Sequence, residues 1–310
     1  MKRFRNILFV ADRDDGLTTA LDRVAAVARS NAARLTVMDI TPEAGLADVV
    51  KQSYAVDLNR QIRQQRLEAL EALAYPYTST GTSVYTTVVT GTPFLEIVRA
   101  VLRNGHDLVV KVAQYDSAPT PWLFGSTDMH LLRKCPCPVW IDRPHGAAAY
   151  QRLLAAVDPF DAEADDLQSL ILDLATSLAE REHASLDIVH AWEMPGESAL
   201  ASGRGRIPRS ELEQLLRETE RRHREALDAL LHPYGMNSAD DNVHIVKGRP
   251  ARIISSYARE QQTDLIVMGT LGRTGIPGLI IGNTAEDVLR QSQTAVLAVK
   301  PGAFVSPVTC

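Results

Sequence analysis

The chain contains a long internal repeat, and this repeat constrains the fold more than any other feature. Residues 264–300 align with residues 107–143 without a gap, at a separation of 157 positions. Near the start the separation falls to 146, because Asp12 aligns with Asp158. We place the extra residues of the second copy most simply within Pro195–Arg209, as an inserted loop. Self-similarity of this length indicates a duplicated domain rather than a solenoid of short repeats.

Two domains of about 150 residues are the natural division, because the chain exceeds the size of most single hydrophobic cores. Hydrophobic residues make up 45% of the 310 positions and charged residues 23%, so each copy has enough apolar side chains for its own core. We predict one domain at residues 1–146 and another at residues 150–304.

Each copy alternates short apolar segments with amphipathic ones. Ile7–Ala11 and Leu153–Val157 are apolar and are followed by Asp, as expected of buried parallel strands. Pro76-Tyr77 and Pro233-Tyr234 are expected to form a turn that closes a long helix. This alternation predicts the α/β class, with right-handed crossovers and a mostly parallel sheet flanked by helices in each domain. Further strands are predicted at Arg34–Asp39, Leu108–Val112, Val139–Ile141, Ser185–Ala191, Leu265–Met268 and Val296–Val299.

Charge and hydropathy exclude several kinds of partner. The formal net charge of −5 argues against general affinity for nucleic acid or for anionic membranes. Arginines at 60–66 and 217–224 alternate with Glu or Gln at helical spacing, which is typical of solvated helix faces.

The apolar segment Ile7–Ala11 is too short for the core of a signal peptide, and no segment approaches the roughly 18 apolar residues of a membrane span. We therefore expect a cytoplasmic protein.

Cys135-Pro-Cys137 and the nearby His130 raise the alternative of a zinc site. Zinc thiolate pairs are usually separated by two residues, and a fourth ligand is missing. In the repeat, the two cysteines align with Ser292 and Thr294. We favour small buried thiols and predict no metal site.

The two copies differ where a nucleotide phosphate would bind. Gly269 and Gly272 in the second copy align with Val112 and Tyr115 in the first. Glycine has no Cβ, so its backbone amide can approach an oxyanion closely or adopt positive φ. Val112 and Tyr115 place side chains in the same space. We therefore predict a working site in the second copy and none in the first.

Other residues of the second copy complete this predicted site. Gly282-Asn283-Thr284 begins a helix whose N–H groups and dipole favour a phosphate, and Asn283 or Thr284 is expected to cap the helix or to turn towards the ligand. In parallel sheets the ligand binds at the carboxyl ends of the strands, where Asp158, Ala191 and Met268 are expected. Glycines that serve only as turns are the alternative, which their combination with these strand ends disfavours.

At these residues the chain resembles the universal stress proteins, specifically their tandem-domain type E, over nearly its whole length. The family's ATP-binding signature is Gly-x2-Gly-x9-Gly followed by Ser or Thr. It corresponds to Gly269, Gly272 and Gly282, with Asn283 in place of the usual residue and Thr284 next. The resemblance implies two tandem domains, each with a five-stranded, mostly parallel sheet flanked by helices. It also implies ATP, with or without magnesium, as the ligand.

The resemblance further implies residue roles and an assembly. Asp158 would contact adenine, and Ala156, Ala191 and Met268 would line the adenine and ribose, while Arg273 is the cation nearest to the glycine motif. Members of the family usually dimerise through their last strands. In a tandem chain the two halves would make this contact internally, as a pseudo-dimer, and a dimer of whole chains is the alternative. The last strands would then pair through Val139–Ile141 and Leu297–Val299.

Nothing in the sequence predicts catalysis. The P-loop of Walker-type phosphotransferases is absent, as are the His-x-Gly-His and Ser-Gly-Gly-x-Asp-Ser elements of related nucleotide enzymes. His190 aligns with Asp39, and we expect its ring to be satisfied by neighbouring backbone rather than to act as a general base. Arg204, Arg206 and Arg209 could meet phosphates, although exposed loop arginines are more common. We predict no catalytic residue, with slow ATP hydrolysis as an alternative.

Three functions compete on this basis. The first is a stress-response protein that binds ATP or a related adenine nucleotide in its C-terminal domain, with a non-binding N-terminal domain. The second is a carrier or sensor of another small ligand, either a nucleotide-sugar or an apolar molecule. The third is a pure protein-interaction module.

Overall fold

Both halves of the chain build a single sheet. The computed structural model describes residues 4–12, 16–41, 58–79, 81–113, 125–144, 149–160, 165–202, 207–270, 282–292 and 294–309. Within these residues ten strands are hydrogen-bonded into one sheet. The first half contributes β1 (Asn6–Val10), β2 (Arg34–Thr41), β3 (Ser83–Thr90), β4 (Leu108–Val112) and β5 (Val139–Asp142). The second half contributes β6 (Arg152–Ala156), β7 (Ser185–Trp192), β8 (Val243–Lys247), β9 (Leu265–Gly269) and β10 (Ala295–Val299).

The strand order is β3-β2-β1-β4-β5-β10-β9-β6-β7-β8, so the second half repeats the first in reverse. Neighbouring strands are parallel except β5 and β10, which pair antiparallel with Trp140 opposite Leu297. The predicted pairing of the last strands is therefore present, but it joins Val139–Ile141 to Val296–Ala298, one residue from the predicted register. Each half is a five-stranded parallel sheet whose strand order reverses between its first and fourth strands, which places a crevice at their carboxyl ends.

Helices cover both faces of the sheet. In the first half they are α1 (Leu17–Asn31), α2 (Leu58–Thr78), α3 (Pro93–Asn104) and α4 (Ser126–Lys134). In the second half they are α5 (Asp165–Glu182), α6 (Glu197–Ser202), α7 (Arg209–Leu231), α8 (Pro250–Glu260) and α9 (Asn283–Gln291). Among the described helices, none combines the length and the apolar content needed to cross a bilayer.

The prediction of a turn at both Pro-Tyr sequences is only half right. In the second half a short 3-10 turn, His232–Tyr234, follows α7. In the first half α2 continues through Pro76, because a proline in the last turn removes only one of the final helical hydrogen bonds. Both tyrosines anchor the long helix, since Tyr77 donates to Asp22 Oδ1 at 2.7 Å and Tyr234 to Asp173 Oδ1 at 2.8 Å.

The extra residues of the second half are divided between two connections. Strand register makes Asn6 equivalent to Arg152 (152 − 6 = 146) and Arg34 equivalent to Ser185 (185 − 34 = 151). Five extra residues (151 − 146 = 5) therefore lie between β6 and β7. Six more (157 − 151 = 6) lie between β7 and β8, because Thr86 of β3 is equivalent to Val243 of β8. The prediction of one inserted loop at Pro195–Arg209 was therefore wrong in two respects: only the six extra residues between β7 and β8 can lie there, and the segment contains the helix α6.

The seam between the halves holds a buried polar network. Tyr150 donates its hydroxyl hydrogen to Asp142 Oδ1 at 2.8 Å and accepts from Trp140 Nε1 at 3.1 Å. Arg23 forms an ion pair with Asp142, and its guanidinium lies 4.0 Å from the centre of the Tyr150 ring. All four side chains are buried. Each of the four side chains interacts with at least one other, and these interactions offset the free-energy cost of burying polar groups.

Substitution of Tyr150 by Phe is expected to destabilise the chain by about 1–3 kcal/mol, because a buried indole N–H and a buried carboxylate each lose a partner. The free energy of unfolding in urea, followed by tryptophan fluorescence, measures this loss. Tyr85→Phe is the matched control, since Tyr85 is 54% exposed and should change stability by less than about 0.5 kcal/mol. Equal midpoints for the two variants would contradict this account of the seam.

Candidate functional site

A cavity of about 300 Å³ lies at the carboxyl ends of β6, β7 and β9, against the first turn of α9. Most of the residues predicted to bind a ligand line it, although they come from separate parts of the chain. Gly272 and Arg273 lie outside the described residues. The predicted residues that line the cavity are Ala156, Asp158, Ala191, Met268, Gly269, Gly282, Asn283 and Thr284.

Strand alternation explains the apolar wall of the cavity. Val189 and Ala191 are two residues apart on β7, so both side chains project from the same face of the sheet. Leu167 and Ile171 of α5 and Ile254 of α8 also line the cavity. Sequence reasoning missed these helical residues, although their apolar periodicity marks the buried faces of both helices.

Asp158 is held by its own loop. Its Oδ1 accepts a hydrogen bond from the amide of Phe160 at 3.2 Å, and its own amide donates to Gln168 Oε1 at 2.9 Å. Gln168 is buried in the first turns of α5 and lines the cavity beside Asp158. No sequence motif marks Gln168, so this polar neighbour was not predicted. The site therefore combines an apolar wall with a carboxylate and a carboxamide at one end.

Gly269 is closely packed against α5. A Cβ there would lie 3.0 Å from Leu167 Cδ2, and the side chain of any larger residue would extend among atoms that line the cavity. Gly269 is not among the glycines with positive φ. The close approach of the Gly269 amide to an oxyanion stays a prediction, whereas the predicted positive φ is wrong at this position.

The first turn of α9 forms the opposite wall. Gly282 is the N-cap, and its amide donates to Thr270 O at 2.7 Å, which fixes the helix to the end of β9. The expectation that Asn283 or Thr284 caps the helix was wrong, because these are its first two residues. A glycine cap provides no side-chain acceptor, so the N–H groups of the first turn are left for water or a ligand. The positive end of the helix dipole also lies here.

In the first half, three charged side chains occupy the equivalent place. Lys111 Nζ lies 3.2 Å from Asp12 Oδ2 and 3.1 Å from Asp128 Oδ1. The side chains of Lys111 and Asp128 have no exposed area. Asp128 also accepts the amide hydrogen of Gly125, the N-cap of α4, at 3.2 Å. The equivalent positions in the second half are Asp158 for Asp12, Met268 for Lys111 and Ala285 for Asp128.

Sequence reasoning attributed the loss of this first site to Val112 and Tyr115. Val112 is indeed buried in the core, whereas Tyr115 lies outside the described residues. The ion group formed by Asp12, Lys111 and Asp128 was missed. Its available signal was a lysine within the otherwise apolar strand Leu108–Val112, at the position where the repeat has methionine.

His190 projects from the face of β7 opposite to Ala191 and so points away from the cavity. Its Nδ1 lies 3.1 Å from Val157 O, which is the predicted backbone contact. Its Nε2 lies 2.8 Å from His223 Nδ1 on α7, a partner that was not predicted. The equivalent pair in the first half is the ion pair of Asp39 with Arg66, at 3.7 Å. The residue at this strand position therefore links the second strand to the long helix in both halves, β2 to α2 and β7 to α7.

The thiols of Cys135 and Cys137 are buried and lie 3.6 Å apart. Lys300, from the second half, donates to Cys135 O at 2.5 Å, and burial lowers the pKa of Lys300 to about 8. His130 instead stacks on Phe94, with ring centres 4.3 Å apart. Within the described part of the chain, no group of three or more His, Cys, Asp or Glu residues could hold a metal ion.

Arg209 is not among the described residues that line the cavity. Arg209 forms an exposed ion pair with Glu213 at the start of α7, with Nε 2.9 Å from Oε1. Arg204 and Arg206 lie outside the described residues. The arginines of α7 that were predicted to be solvated are exposed and pair with glutamates one turn away, as Arg221 does with Glu218 and Glu225.

Comparisons with known proteins agree with this geometry. Residues 3–143 and 149–300 each match the model of the universal stress protein family. The chain is 28% identical to universal stress protein E of Escherichia coli K12 over 99% of this chain and 98% of that protein. It is 25% identical to a universal stress protein E homolog of Haemophilus influenzae over 96% of this chain and 98% of that protein.

A solved structure from Pseudomonas aeruginosa UCBPP-PA14 is 26% identical, with a TM-score of 0.76 over 97% of this chain and 95% of that chain. A universal stress protein from Archaeoglobus fulgidus, at 19% identity, shares the fold with a TM-score of 0.66 over 95% of this chain and 98% of that chain. Two matched domains and full-length similarity lead to one conclusion: the chain belongs to the universal stress protein family and has its tandem-domain organisation.

Proposed function

We propose that the protein is a cytoplasmic stress-response protein that binds ATP or a related adenine nucleotide in the cavity of its second domain. The single observation that carries this proposal is the uncapped first turn of α9 at the wall of an apolar cavity. A phosphate would be bound by the N–H groups of this turn and by the dipole of the helix. The domain boundaries that we propose remain residues 1–146 and 150–304.

The described residues fit the two ends of a nucleotide. Ala156, Ala191 and Met268 provide small or flexible apolar surface suited to the flat faces of a base and a ribose. Asp158 and Gln168 provide hydrogen-bonding groups for the edge of the base. Asn283 and Thr284 lie beside the phosphate position and keep polar side chains there. Gly272 and Arg273 stay in the proposal as sequence predictions.

Electrostatic compensation supports the assignment of ligand binding to the second domain alone. In the first domain, the carboxylate of Asp128 lies at the N-terminus of α4 and accepts a hydrogen bond from Gly125. It therefore takes the role that a ligand phosphate would have. Lys111 balances the charges of Asp128 and Asp12 in the volume where a base would lie. In the second domain, Ala285 and Met268 leave both places to a ligand.

We propose binding without designed turnover. In the described part of the cavity no histidine or lysine side chain is among the lining groups, and the carboxylate of Asp158 is assigned to the edge of the base rather than to proton transfer. A second candidate ligand is favoured by the lining itself, because Leu167, Ile171, Val189 and Ile254 make much of the wall apolar. An apolar molecule or a nucleotide-sugar retained on the purified chain, identified by native mass spectrometry, would support that alternative.

Substitution of Ala285 by Asp is expected to lower the affinity for ATP at least about tenfold, because it installs at α9 the internal carboxylate that Asp128 provides at α4. Isothermal titration of the full chain with ATP, ADP and AMP, with and without magnesium, measures the effect. The unmodified chain should bind one nucleotide per chain. Gly282→Val should have the same result by filling the space beside the phosphate.

Thr18→Asp is the matched control for Ala285→Asp, because it adds the same charge to the exposed first turn of α1 in the other domain. Gly125→Val is the matched control for Gly282→Val. Both controls should bind ATP as the unmodified chain does, and melting curves establish that each variant is folded. Unchanged ATP affinity in both Ala285→Asp and Gly282→Val would reject the proposed site.

Substitution of Lys111 by Met is expected to destabilise the chain by about 3–5 kcal/mol, because two buried carboxylates lose their counter-charge. The double variant Lys111→Met with Asp128→Ala restores the residues of the second domain and should recover much of this loss. Urea unfolding of both variants gives the comparison. Lys247→Met removes an exposed ion pair with Glu197 and should cost no more than about 1 kcal/mol. If Lys111→Met were as stable as the double variant, Lys111 would not be the counter-charge that stabilises the two carboxylates.

A further inference from the structure

A second large cavity lies at the amino ends of β1, β2 and β3, at the opposite end of the first domain from its filled site. This groove has a volume of about 560 Å³ and also borders the last turn of α1. Three arginines and two hydroxyl side chains are among its lining residues, namely Arg5, Arg29, Arg34, Thr82 and Ser83.

The three guanidinium groups in this groove lack carboxylate partners. Within the described residues, no Asp or Glu oxygen lies within the 4 Å of an ion pair with Arg5, Arg29 or Arg34. Asp107 is at the same end of the sheet, but it accepts the backbone amides of Arg5 at 2.6 Å and Asn6 at 3.0 Å. Many other arginines of the chain are paired, as the helix α7 shows. Three like charges that line one groove repel one another, and an anion bound between them would offset this repulsion.

A buried hydroxyl in the same groove is also without a partner. Thr82 is only 7% exposed, and its Oγ1 makes no hydrogen bond to any described residue. A buried hydroxyl is usually hydrogen-bonded, because its removal from water costs free energy that only a new partner offsets. This observation is independent of the arginines. It leaves the Thr82 hydroxyl able to bond a polar group from outside the described residues.

The groove is specific to the first domain. Strand and helix register give Gln151 in place of Arg5, Glu180 in place of Arg29 and Ser185 in place of Arg34. Thr82 is replaced by Ala239 at the equivalent position. The duplicated domains thus share neither the positive charge nor the buried hydroxyl. A requirement of the fold common to both domains would not produce this difference.

We infer that this groove is a binding site for a small molecule that carries a phosphate or pyrophosphate group. Guanidinium groups bind phosphate oxygens in bidentate geometry, and three of them around one groove suit a multiply charged anion. Arg34 is positioned for this role by Tyr85, whose ring centre lies 5.5 Å from the guanidinium carbon. The hydroxyls of Thr82 and Ser83 donate to further phosphate oxygens. The net charge of −5 and the size of the groove favour a small ligand over a nucleic acid.

Inorganic pyrophosphate is the probe that tests this site, in isothermal titration of the full chain. The Ala285→Asp variant serves as the background, because it separates the groove from the proposed nucleotide cavity. We expect saturable binding of one pyrophosphate per chain that weakens as the salt concentration rises. Arg29→Gln and Arg34→Gln should each lower the affinity about tenfold, and Thr82→Val about threefold. Thr82→Ser keeps the hydroxyl and should keep the affinity.

Arg217→Gln is the matched control, because it removes the same charge from an exposed position on α7. Its affinity for pyrophosphate should stay within about twofold of the background. Absence of saturable binding at millimolar pyrophosphate would overturn the inference. Equal losses of pyrophosphate affinity in Arg217→Gln and Arg29→Gln would also overturn it, because they would show a general effect of charge. Binding of RNA or of anionic vesicles without binding of pyrophosphate would also overturn it.

Separate arms of the same titration identify the source of the phosphate. If ATP and pyrophosphate compete in the Ala285→Asp background, the groove accepts the phosphate chain of a nucleotide. If pyrophosphate binds and ATP does not, the ligand is a smaller phosphate compound. Both results support the groove. The proposed nucleotide cavity stands or falls separately, on the ATP affinity that the unmodified chain has and that Ala285→Asp and Gly282→Val lose.

Discussion

The antiparallel hydrogen bonding of β5 to β10 is the interaction on which the rest of the architecture depends. Each half alone would end in an exposed strand edge, with unpaired N–H and C=O groups available to any other chain. Pairing the two edges satisfies both and extends the sheet across ten described strands. The buried group of Arg23, Asp142, Tyr150 and Trp140 lies on this seam and ties helix α1 to it. The last strands therefore set both the position and the orientation of the two domains.

The duplicated helices α4 and α9 show how one fold supports two different states of the same position. Both begin at a glycine, and both direct the N–H groups of their first turn towards the strand ends. In α4 the chain supplies its own anion through Asp128, and Lys111 neutralises it. In α9 no such carboxylate is present at the equivalent residue, which is Ala285. The carboxylate of Glu286, also in the first turn of α9, is instead paired with Arg133 and Arg290, so the N-terminus of this helix still favours an external anion.

Much of the fold could be predicted, because apolar segments that end in Asp and recur in two copies mark the strands, whereas the order of the strands in the sheet was not predicted. The cavity was predicted from Gly269, Gly282 and Asp158, since backbone approach and helix N-termini have recognisable patterns. Gln168 and Leu167 were missed because a helix packed over the sheet leaves no local motif for its contacts. The ion group around Lys111 was missed for a related reason. A charge within a strand is usually exposed, and only the tertiary structure shows that two carboxylates surround it.

The seam has one more consequence for the arrangement of ligands. Because β5 and β10 run in opposite directions, the amino ends of the first-domain strands lie along the same border of the twisted sheet as the carboxyl ends of the second-domain strands. The arginine-lined groove and the apolar cavity, which belong to opposite ends of their own domains, therefore both open along that one border. One partner bound along that border would contact the openings of both the groove and the cavity, although the two share no lining residue.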